Sequence, residues 1–443
     1  MDVFPNLKNG TRLNIPWKSA GYVLAILFAG LLLIKGIIPG WTRLHSDFSN
    51  YYVSAKLITD GVPLDHLYDN EWFQGKIKDY GIDTPGKFSP FPPITTFVML
   101  PLTVFEPLTA QRIFTLINLL FVGIGIITLK KLTSWSTIAA TLFLLGAGLG
   151  LINNIAFGQV YLIMTVFILF AFLLVNHNHF LLAGIILGVF TAIKYFPIVL
   201  IAGFFLNGCL EIYQNKITIR RIYTNGDFRV VFYGIISFLL LLTVQYFYFG
   251  KLIFNDWIYS AFLPHLDSEL EGQGMFSYYF QSWDSLLRNL FVYDPQFNPH
   301  PFLDWKGGKL FFKITIAVLI ALITAWTLFK IRSGTPPIRR AVCLSIPSVA
   351  ALVLLPASAT YHFILLVPSL VLIIRQPDPD INRHIKVAIL VLYGFIGLIP
   401  YNLLFNLSEQ LGLWLAYPRL WLISILFVVV VVGMTQRSKS VVN

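Results

Sequence analysis

The chain has 443 residues, of which 56% are hydrophobic and only 12% charged, with mean hydropathy +0.73. A water-soluble domain of this length needs far more surface charge, so the composition excludes one and points to lipid as the main solvent. The net charge of +11 does not signal nucleic acid, because the basic residues sit in tails and short loops between apolar runs, where they set membrane orientation.

Apolar runs long enough to cross about 30 Å of hydrocarbon fall near residues 20–38, 110–129, 137–152, 159–175, 180–206, 229–249, 310–329, 341–356, 360–374, 386–405 and 413–432. A shorter run from Ile94 to Phe105 reads as a broken or tilted span. Counting it, the expected fold is all-α: a polytopic membrane bundle of about 12 transmembrane helices in one domain spanning 1–443, with both ends on one side. The N-terminal run follows Lys8, Arg12 and Lys18 and reads as an uncleaved first helix, because Lys-Gly-Ile-Ile-Pro is a poor cleavage site. The basic stretches Lys216 to Arg229, Lys330 to Arg340 and Arg375 to Lys386, with Arg437 and Lys439, then lie in the cytoplasm. Lys130-Lys131 violates that pattern by falling outside. Two long connections, 39–93 and 250–309, are acidic and extracytoplasmic, and loops of this length commonly carry function. No internal repeat is evident, which weighs against an inverted-repeat transporter.

The first connection opens with Leu44-His-Ser-Asp-Phe-Ser-Asn-Tyr-Tyr-Val-Ser-Ala-Lys56. In a helix, Asp47, Tyr51 and Ser54 share a face. Asp47 either caps a helix start or, shielded by Phe48, Tyr51 and Tyr52, acts as a general base. The spacing leaves both open. Lys87-Phe-Ser-Pro-Phe-Pro-Pro-Ile94 is a rigid, extended approach to the bundle, since proline cannot continue a helix interior. Gly158-Gln159 places an amide at membrane depth, where it either bonds a neighbouring helix or lines a cavity. Lys194, three residues before Pro197, either holds a phosphate or snorkels to the interface. Gln281, Asp284, Ser285 and Arg288 form the polar face of an amphipathic helix, whose plainest reading is a solvated face.

His362 lies between two apolar runs on the same side as Asp47, either hydrogen-bonded structurally or paired with that carboxylate. His177 and His179 have metal-like spacing without acidic company and read as loop. Asp378-Pro-Asp380 also reads as loop. No phosphate-binding glycine loop or Ser-His-Asp pattern appears. Cys209 and Cys343 define neither a disulfide framework nor a metal cluster.

Taken in order, these pieces resemble the polyprenol-phosphate-sugar-dependent membrane glycosyltransferases of glycosyltransferase family 87, mannosyltransferase-like enzymes with the GT-C architecture. The likeness rests on Asp47-Phe-Ser-Asn-Tyr-Tyr with Gly61 and Tyr68-Asp69, and on Phe88-Ser-Pro-Phe-Pro-Pro with Pro101. It continues through Gly158-Gln159, Gly184 to Lys194 with Pro197, Gln281-Ser282 with Arg288, and Ser358 to His362. The resemblance implies catalysis by Asp47 as base, assisted by His362. Tyr51, Tyr52, Gln159, Lys194, Gln281, Ser282 and Arg288 would bind substrate, with Lys194 and Arg288 as cations for the leaving phosphate. Two departures stand out: Ser358-Ala-Thr-Tyr-His362 lacks a family Trp and one His, and Phe280 replaces an Asn. The implied reaction is inverting transfer of a hexose, mannose first, from a polyprenyl-phosphate donor to a lipid or glycan acceptor. It would run on the outer face of a bacterial cytoplasmic membrane, needing no metal and no cofactor. A transporter or flippase for a lipid-linked sugar is the alternative.

Overall fold

The computed structural model describes residues 17–215, 223–267, 269–271, 274–376, 381–406 and 412–436. Expectations attached to Lys8, Arg12, residues 216–222, Asp378, Asp380, Arg437 and Lys439 lie outside these residues. Among the described residues the fold is helical, and the only β pairing is an isolated bridge between Asp294 and Asn298. Among the described residues, seven helical stretches are long and apolar enough to cross a membrane. They become eight when the bent pair Thr137–Leu145 and Leu149–Phe157 is taken as one. The protein is therefore a multi-pass membrane protein.

Helix α1 (Trp17–Leu32) continues through a π turn (Leu33–Ile37) and a last short helix (Ile38–Thr42). Gly36 and Gly40, four residues apart, let this end press against the backbone at Ile152 and Ile155. Small residues at that spacing permit close helix contact where lipid offers no hydrophobic drive. Helix α2 (Ser46–Thr59) follows, and stops where Gly61, at φ +68°, turns the chain left-handed and Val62 N–H donates to the Leu57 carbonyl at 2.9 Å. Phe48 through Ala55 are all buried. The first long connection is thus ordered, because α2 and α3 (Asn70–Asp79) close around Leu67, Phe73, Ile77, Phe88 and Phe114.

Two spans differ from their sequence expectation. The run Ile94 to Phe105 is not a membrane-length helix: Pro93–Leu102 is a 3₁₀ helix with Pro101 inside it, lying against α2. The backbone N–H that Pro101 lacks and the crowding its ring causes explain why no regular helix forms there. The run 180–206 falls in two helices, Phe180–Lys194 and Pro197–Asn215.

Helix α4 (Pro107–Thr133) is followed by the bent pair α5 (Thr137–Leu145) and α6 (Leu149–Phe157), which meet at 72°. At the bend, Gly148 has φ +54° and faces the Gly397 backbone so closely that a Cβ would overlap it. Next come α7 (Tyr161–Asn176), α8 (Phe180–Lys194), α9 (Pro197–Asn215) and α10 (Gly226–Asp256). Gly184 and Gly188 of α8 meet α10 at Val230 and Gly234, so these helices run parallel. Helix α9 runs the other way, with Gly208 against Phe228 and Ile201 against Gly234. The break at Lys194-Tyr195-Phe196-Pro197 therefore reverses the chain.

The remainder comprises α11 (Trp283–Phe291), α12 (Lys306–Ile331), α13 (Pro336–Leu354), a 3₁₀ turn (Thr360–Leu365) leading into α14 (Leu366–Ile374), α15 (Arg383–Leu398) and α16 (Pro418–Gln436). One end of the bundle carries a polar network: Arg340 pairs with Asp227 at 3.0 Å, Arg339 Nε donates to Asn207 Oδ1 at 3.1 Å, and Asn207 donates to Asp227. At that end Arg375 donates to the Leu132 carbonyl at 3.1 Å, which brings Lys130-Lys131 beside the other basic residues instead of opposite them.

The α8–α10 contact yields a stability test. A side chain at Gly188 would overlap the Gly234 carbonyl and Ser237, whereas Gly123 of α4 has open space around its Cβ position. Gly188→Val should lower stability by about 1–3 kcal/mol through overpacking, read as a lower melting temperature in detergent. Gly123→Ala should leave it unchanged or raise it slightly.

Candidate functional site

The site is assembled at the end of the bundle opposite Arg339, Arg340 and Arg375, and Gln111 of α4 sets its position. Gln111 Nε2 donates to the carbonyls of Gly40 (2.7 Å) and Arg43 (2.5 Å), and its Oε1 accepts from His45 N–H at 3.1 Å. This one buried amide clamps the turn between α1 and α2. Helix α2 then begins after His45, which makes no side-chain cap, and Asp47 lies inside its first turn. The capping alternative is thereby removed: the Asp47 carboxylate is not spent on backbone N–H groups.

Asp47 looks across at Gln159 and Lys194. Gln159 is fully buried, and its Oε1 accepts from Tyr51 Oη at 2.7 Å. Its amide nitrogen makes no other hydrogen bond and is the donor left for the carboxylate. The preceding residue, Gly158 (φ +68°), lies against Phe48, and any Cβ there would strike that ring. The Gly-Gln pair thus supplies both the close approach and the interhelical hydrogen bond.

Lys194 ends α8. Tyr195 takes φ +33°, and Pro197 prevents the helix from continuing. The lysine is 6% exposed, so it does not snorkel. Its Nζ sits 3.7 Å from the centre of the Phe91 ring, 5.0 Å from Tyr161 and 5.1 Å from Tyr51. An aromatic cage of this kind attracts a cation through the ring quadrupoles. The cage is held from behind. Tyr68 Oη donates to the Phe91 carbonyl at 2.7 Å, Tyr195 Oη donates to the Pro90 carbonyl at 3.1 Å and accepts from Trp257 Nε1 at 2.9 Å. Phe91 stacks on Tyr51 at 4.7 Å. The proline-rich segment is therefore more than a lead-in to the membrane; it presents one wall of the cage.

His362 faces the same cluster. Its Nδ1 accepts the Ala359 N–H at 3.0 Å, so the neutral ring carries its proton on Nε2, which lies 2.9 Å from Tyr161 Oη. Tyr161 thus accepts from the imidazole and has its own hydroxyl proton to direct elsewhere. Tyr361 stacks on Tyr161 at 5.4 Å, and both tyrosines interact electrostatically with Asp47. Asp47, Tyr361 and His362 retain partial exposure, whereas Tyr51, Gln159 and Lys194 are buried. The cluster is a cleft with a sealed floor and an open mouth. His362 is bonded to Tyr161, which lies within the field of Asp47.

The other sequence candidates lie elsewhere. Tyr52 Oη donates to the Phe105 carbonyl at 2.7 Å, away from Asp47. Gln281 Nε2 donates to the Tyr278 and Ala416 carbonyls, and its Oε1 accepts from Arg419 N–H. Ser282 caps α11 and donates to the Pro356 carbonyl at 2.8 Å, while Gln281 N–H donates to the Ser358 carbonyl at 3.1 Å. Both therefore brace the segment that carries Tyr361 and His362. Arg288 is 3% exposed, pairs with Glu269 and lies over Phe276. The polar face of α11 is not solvated: Asp284, 3% exposed, pairs with Lys313 at 2.8 Å and Lys309 at 3.4 Å.

Sequence reasoning missed Tyr161, Tyr361, Phe91, Gln111 and Arg419. Tyr361 adjoins His362, and Tyr161 follows Gln159 by two residues, so both lay beside a recognised signal. Arg419, 1% exposed, donates to the Ile399 carbonyl and Thr360 Oγ1 beneath the His362 turn, and no local pattern announces it. Among the described residues no three His, Cys, Asp or Glu side chains converge as metal ligands.

A carboxylate and a lysine caged by aromatic rings thus lie close together in an apolar, multi-pass helical bundle. The sequence profile of glycosyltransferase family 87 matches residues 90–358, more than half of the chain, and the protein belongs to that family; it is a glycosyltransferase. The matched region contains Phe91, Gln159, Tyr161, Lys194, Gln281, Ser282 and Arg288, and stops short of both Asp47 and His362. No curated protein matches the chain.

The Arg288 pair gives a pH test. Partial burial opposes ionisation of Glu269, but the hydrogen bond and charge of Arg288, with Lys309, outweigh it and hold the carboxyl below its usual range. Its stabilising contribution is complete above the ordinary glutamate range, near 4.3, and is lost as pH falls through the depressed folded value. Glu269→Gln should cost about 1 kcal/mol at neutral pH, since the carboxylate is half exposed. The variant should also flatten the acid limb of the melting curve; identical pH profiles would refute the pairing.

Proposed function

We propose that the protein is an inverting glycosyltransferase that moves a hexose, mannose first among candidates, from a polyprenyl-phosphate donor to a lipid or glycan acceptor. The observation that carries this reading is the cleft in which Asp47 and Lys194 face each other's field without forming a direct ion pair. A carboxylate to take a proton and a cation to offset phosphate charge are the two groups such a transfer needs. The acceptor hydroxyl attacks the anomeric carbon while Asp47 takes its proton. The bond from that carbon to the phosphate oxygen breaks, and the electron pair stays on the phosphate, whose added charge Lys194 offsets. Charge builds on the ring oxygen and anomeric carbon as in other glycosyl transfers, and attack opposite the leaving group inverts the configuration. Gln159 and Tyr51 hold Asp47 in place. His362 acts through Tyr161, as a positioning residue for that hydroxyl. Arg288, already matched by Glu269, is the weaker candidate for the phosphate cation.

The membrane arrangement follows the same reading. We place the chain's membrane crossings at α1, α4, the α5–α6 pair, α7, α8, α9, α10, α12, α13, the Thr360–Ile374 segment, α15 and α16, which are about twelve. Lys130, Lys131, Arg339, Arg340 and Arg375 then share the cytoplasmic end, as the positive-inside rule prefers. The cleft opens on the extracytoplasmic side of a bacterial cytoplasmic membrane, where a lipid-borne donor reaches it laterally. Family membership favours a transferase over a transporter or flippase.

The decisive experiment incubates purified protein with a panel of polyprenyl-phosphate sugars and analyses products by mass. Asp47→Asn should lower kcat by at least about 10²-fold while expression and donor binding stay intact. Lys194→Gln should weaken donor binding as well as turnover, and His362→Gln should reduce kcat less than Asp47→Asn does. Near-normal transfer by Asp47→Asn would remove the proposed base. Movement of an intact sugar lipid across vesicles with no new glycosidic bond would support the transporter.

A further inference from the structure

The end of the bundle opposite the cleft contains a cavity of about 150 Å³ between α7, α9, α13 and α14. Its lining includes the apolar Phe172, Phe204 and Leu372 together with Arg340 and Arg375. The two guanidiniums act on each other: burial, then the charge of Arg340, holds the Arg375 group down at about 10, still fully protonated at neutral pH. Like charges placed together around a void leave room for an anion between them.

Neither arginine is neutralised in a way that fills the cavity. Arg375 donates to the Leu132 carbonyl and has no carboxylate partner among the described residues. Arg340 uses one terminal nitrogen on Asp227, while its Nε is buried without a hydrogen-bond partner. The third contributor is the start of α13. Its first residues, Pro336 and Pro337, line the cavity, and Thr335 caps the helix without a side-chain hydrogen bond. That 19-residue helix adds only its dipole to the same space, because Pro336 and Pro337 have no N–H and the Ile338 and Arg339 N–H groups are already bonded to the Thr335 carbonyl.

We propose that this cavity binds the phosphodiester of an anionic membrane phospholipid, with the phosphate between Arg340 and Arg375 and the lipid chains against Phe172, Phe204 and Leu372. Guanidiniums form paired hydrogen bonds with phosphate oxygens. The apolar wall and the position at the ends of the membrane helices favour a lipid over a free anion, and basic pockets between membrane helices are where such headgroups settle. The site is separate from the Asp47 cleft, so its occupancy is independent of the transfer chemistry proposed above.

The test uses the full-length protein in detergent, with native mass spectrometry and thermal unfolding after addition of phosphatidylglycerol, phosphatidylcholine or inorganic phosphate. Phosphatidylglycerol should give a retained one-to-one adduct and raise the melting temperature, with phosphatidylcholine and phosphate giving neither. Arg375→Gln should reduce the adduct at least fivefold, and Arg340→Lys, which keeps the charge facing Asp227 but loses the fork, should reduce it in part. Arg332→Gln removes the same charge from the adjoining end of α12, outside the cavity, and should leave the adduct unchanged. Both cavity variants should elute as the wild type does in gel filtration, so that lost binding is not lost folding. Equal retention of phosphatidylcholine, stabilisation by inorganic phosphate alone, or an Arg332→Gln loss as large as that of Arg375→Gln would each overturn the proposal.

Discussion

A lysine with its ammonium buried in an apolar bundle is the constraint from which the site is built. Removing a charge from water costs several kcal/mol unless other groups replace its hydration. For Lys194 that replacement is distributed among the faces of Phe91, Tyr51 and Tyr161 and the field of Asp47. The arrangement requires the proline-rich segment to stand against α2, and it requires α8 to end at Lys194. It also requires Tyr68 and Tyr195 to hold the backbone of Phe91 and Pro90 from behind. Each of these elements has an independent local cause, yet they converge on one cation. In the proposed reaction the cage keeps the ammonium available, because aromatic faces solvate a cation without occupying it as a carboxylate would.

That distinction separates Lys194 from Arg288. The family resemblance implied both as cations for the leaving phosphate. The structure gives Arg288 a partner in Glu269 and surrounds it with Lys309, Lys313, Asp267 and Asp284 in one ionic network. Such a network ties the second long connection to α12 and gives α11 its buried seat. A charge already matched within a network has less to offer a substrate phosphate than one held by aromatic rings without a direct ion pair.

The sequence was most legible where composition or a single residue imposed its own geometry. The apolar runs announced a helical membrane protein, and Gly158, Pro197 and the proline cluster marked breaks that the structure retains. It was least legible where meaning depended on the partner. Residues 180–206 read as one span because hydropathy has no sign for direction, and only the packing of Gly188 and Gly208 on α10 reveals the reversal. Gln281 and Ser282 entered as substrate ligands through the family motif, and only the folded chain shows their side chains bonded to the carbonyls of Tyr278, Ala416 and Pro356. Tyr161 went unnoticed for the converse reason: in an aromatic-rich membrane chain, one more tyrosine at a helix start carries no signal until His362 and Lys194 are seen beside it.

The break at Pro197 also links the two ends of the molecule. Because the chain reverses there, α9 carries Asn207 back towards Arg339, and α10 begins beside it with Asp227 bound to Arg340. The same reversal leaves Lys194 at the cleft. A straight helix through residues 180–206 would move Lys194 into the middle of a span and Asn207 away from its arginine. One proline thus separates the polar residues of this region into two sets: those that face the cleft and those that close the opposite end. The apolar length between the ends can then remain free of buried charge, as a membrane requires.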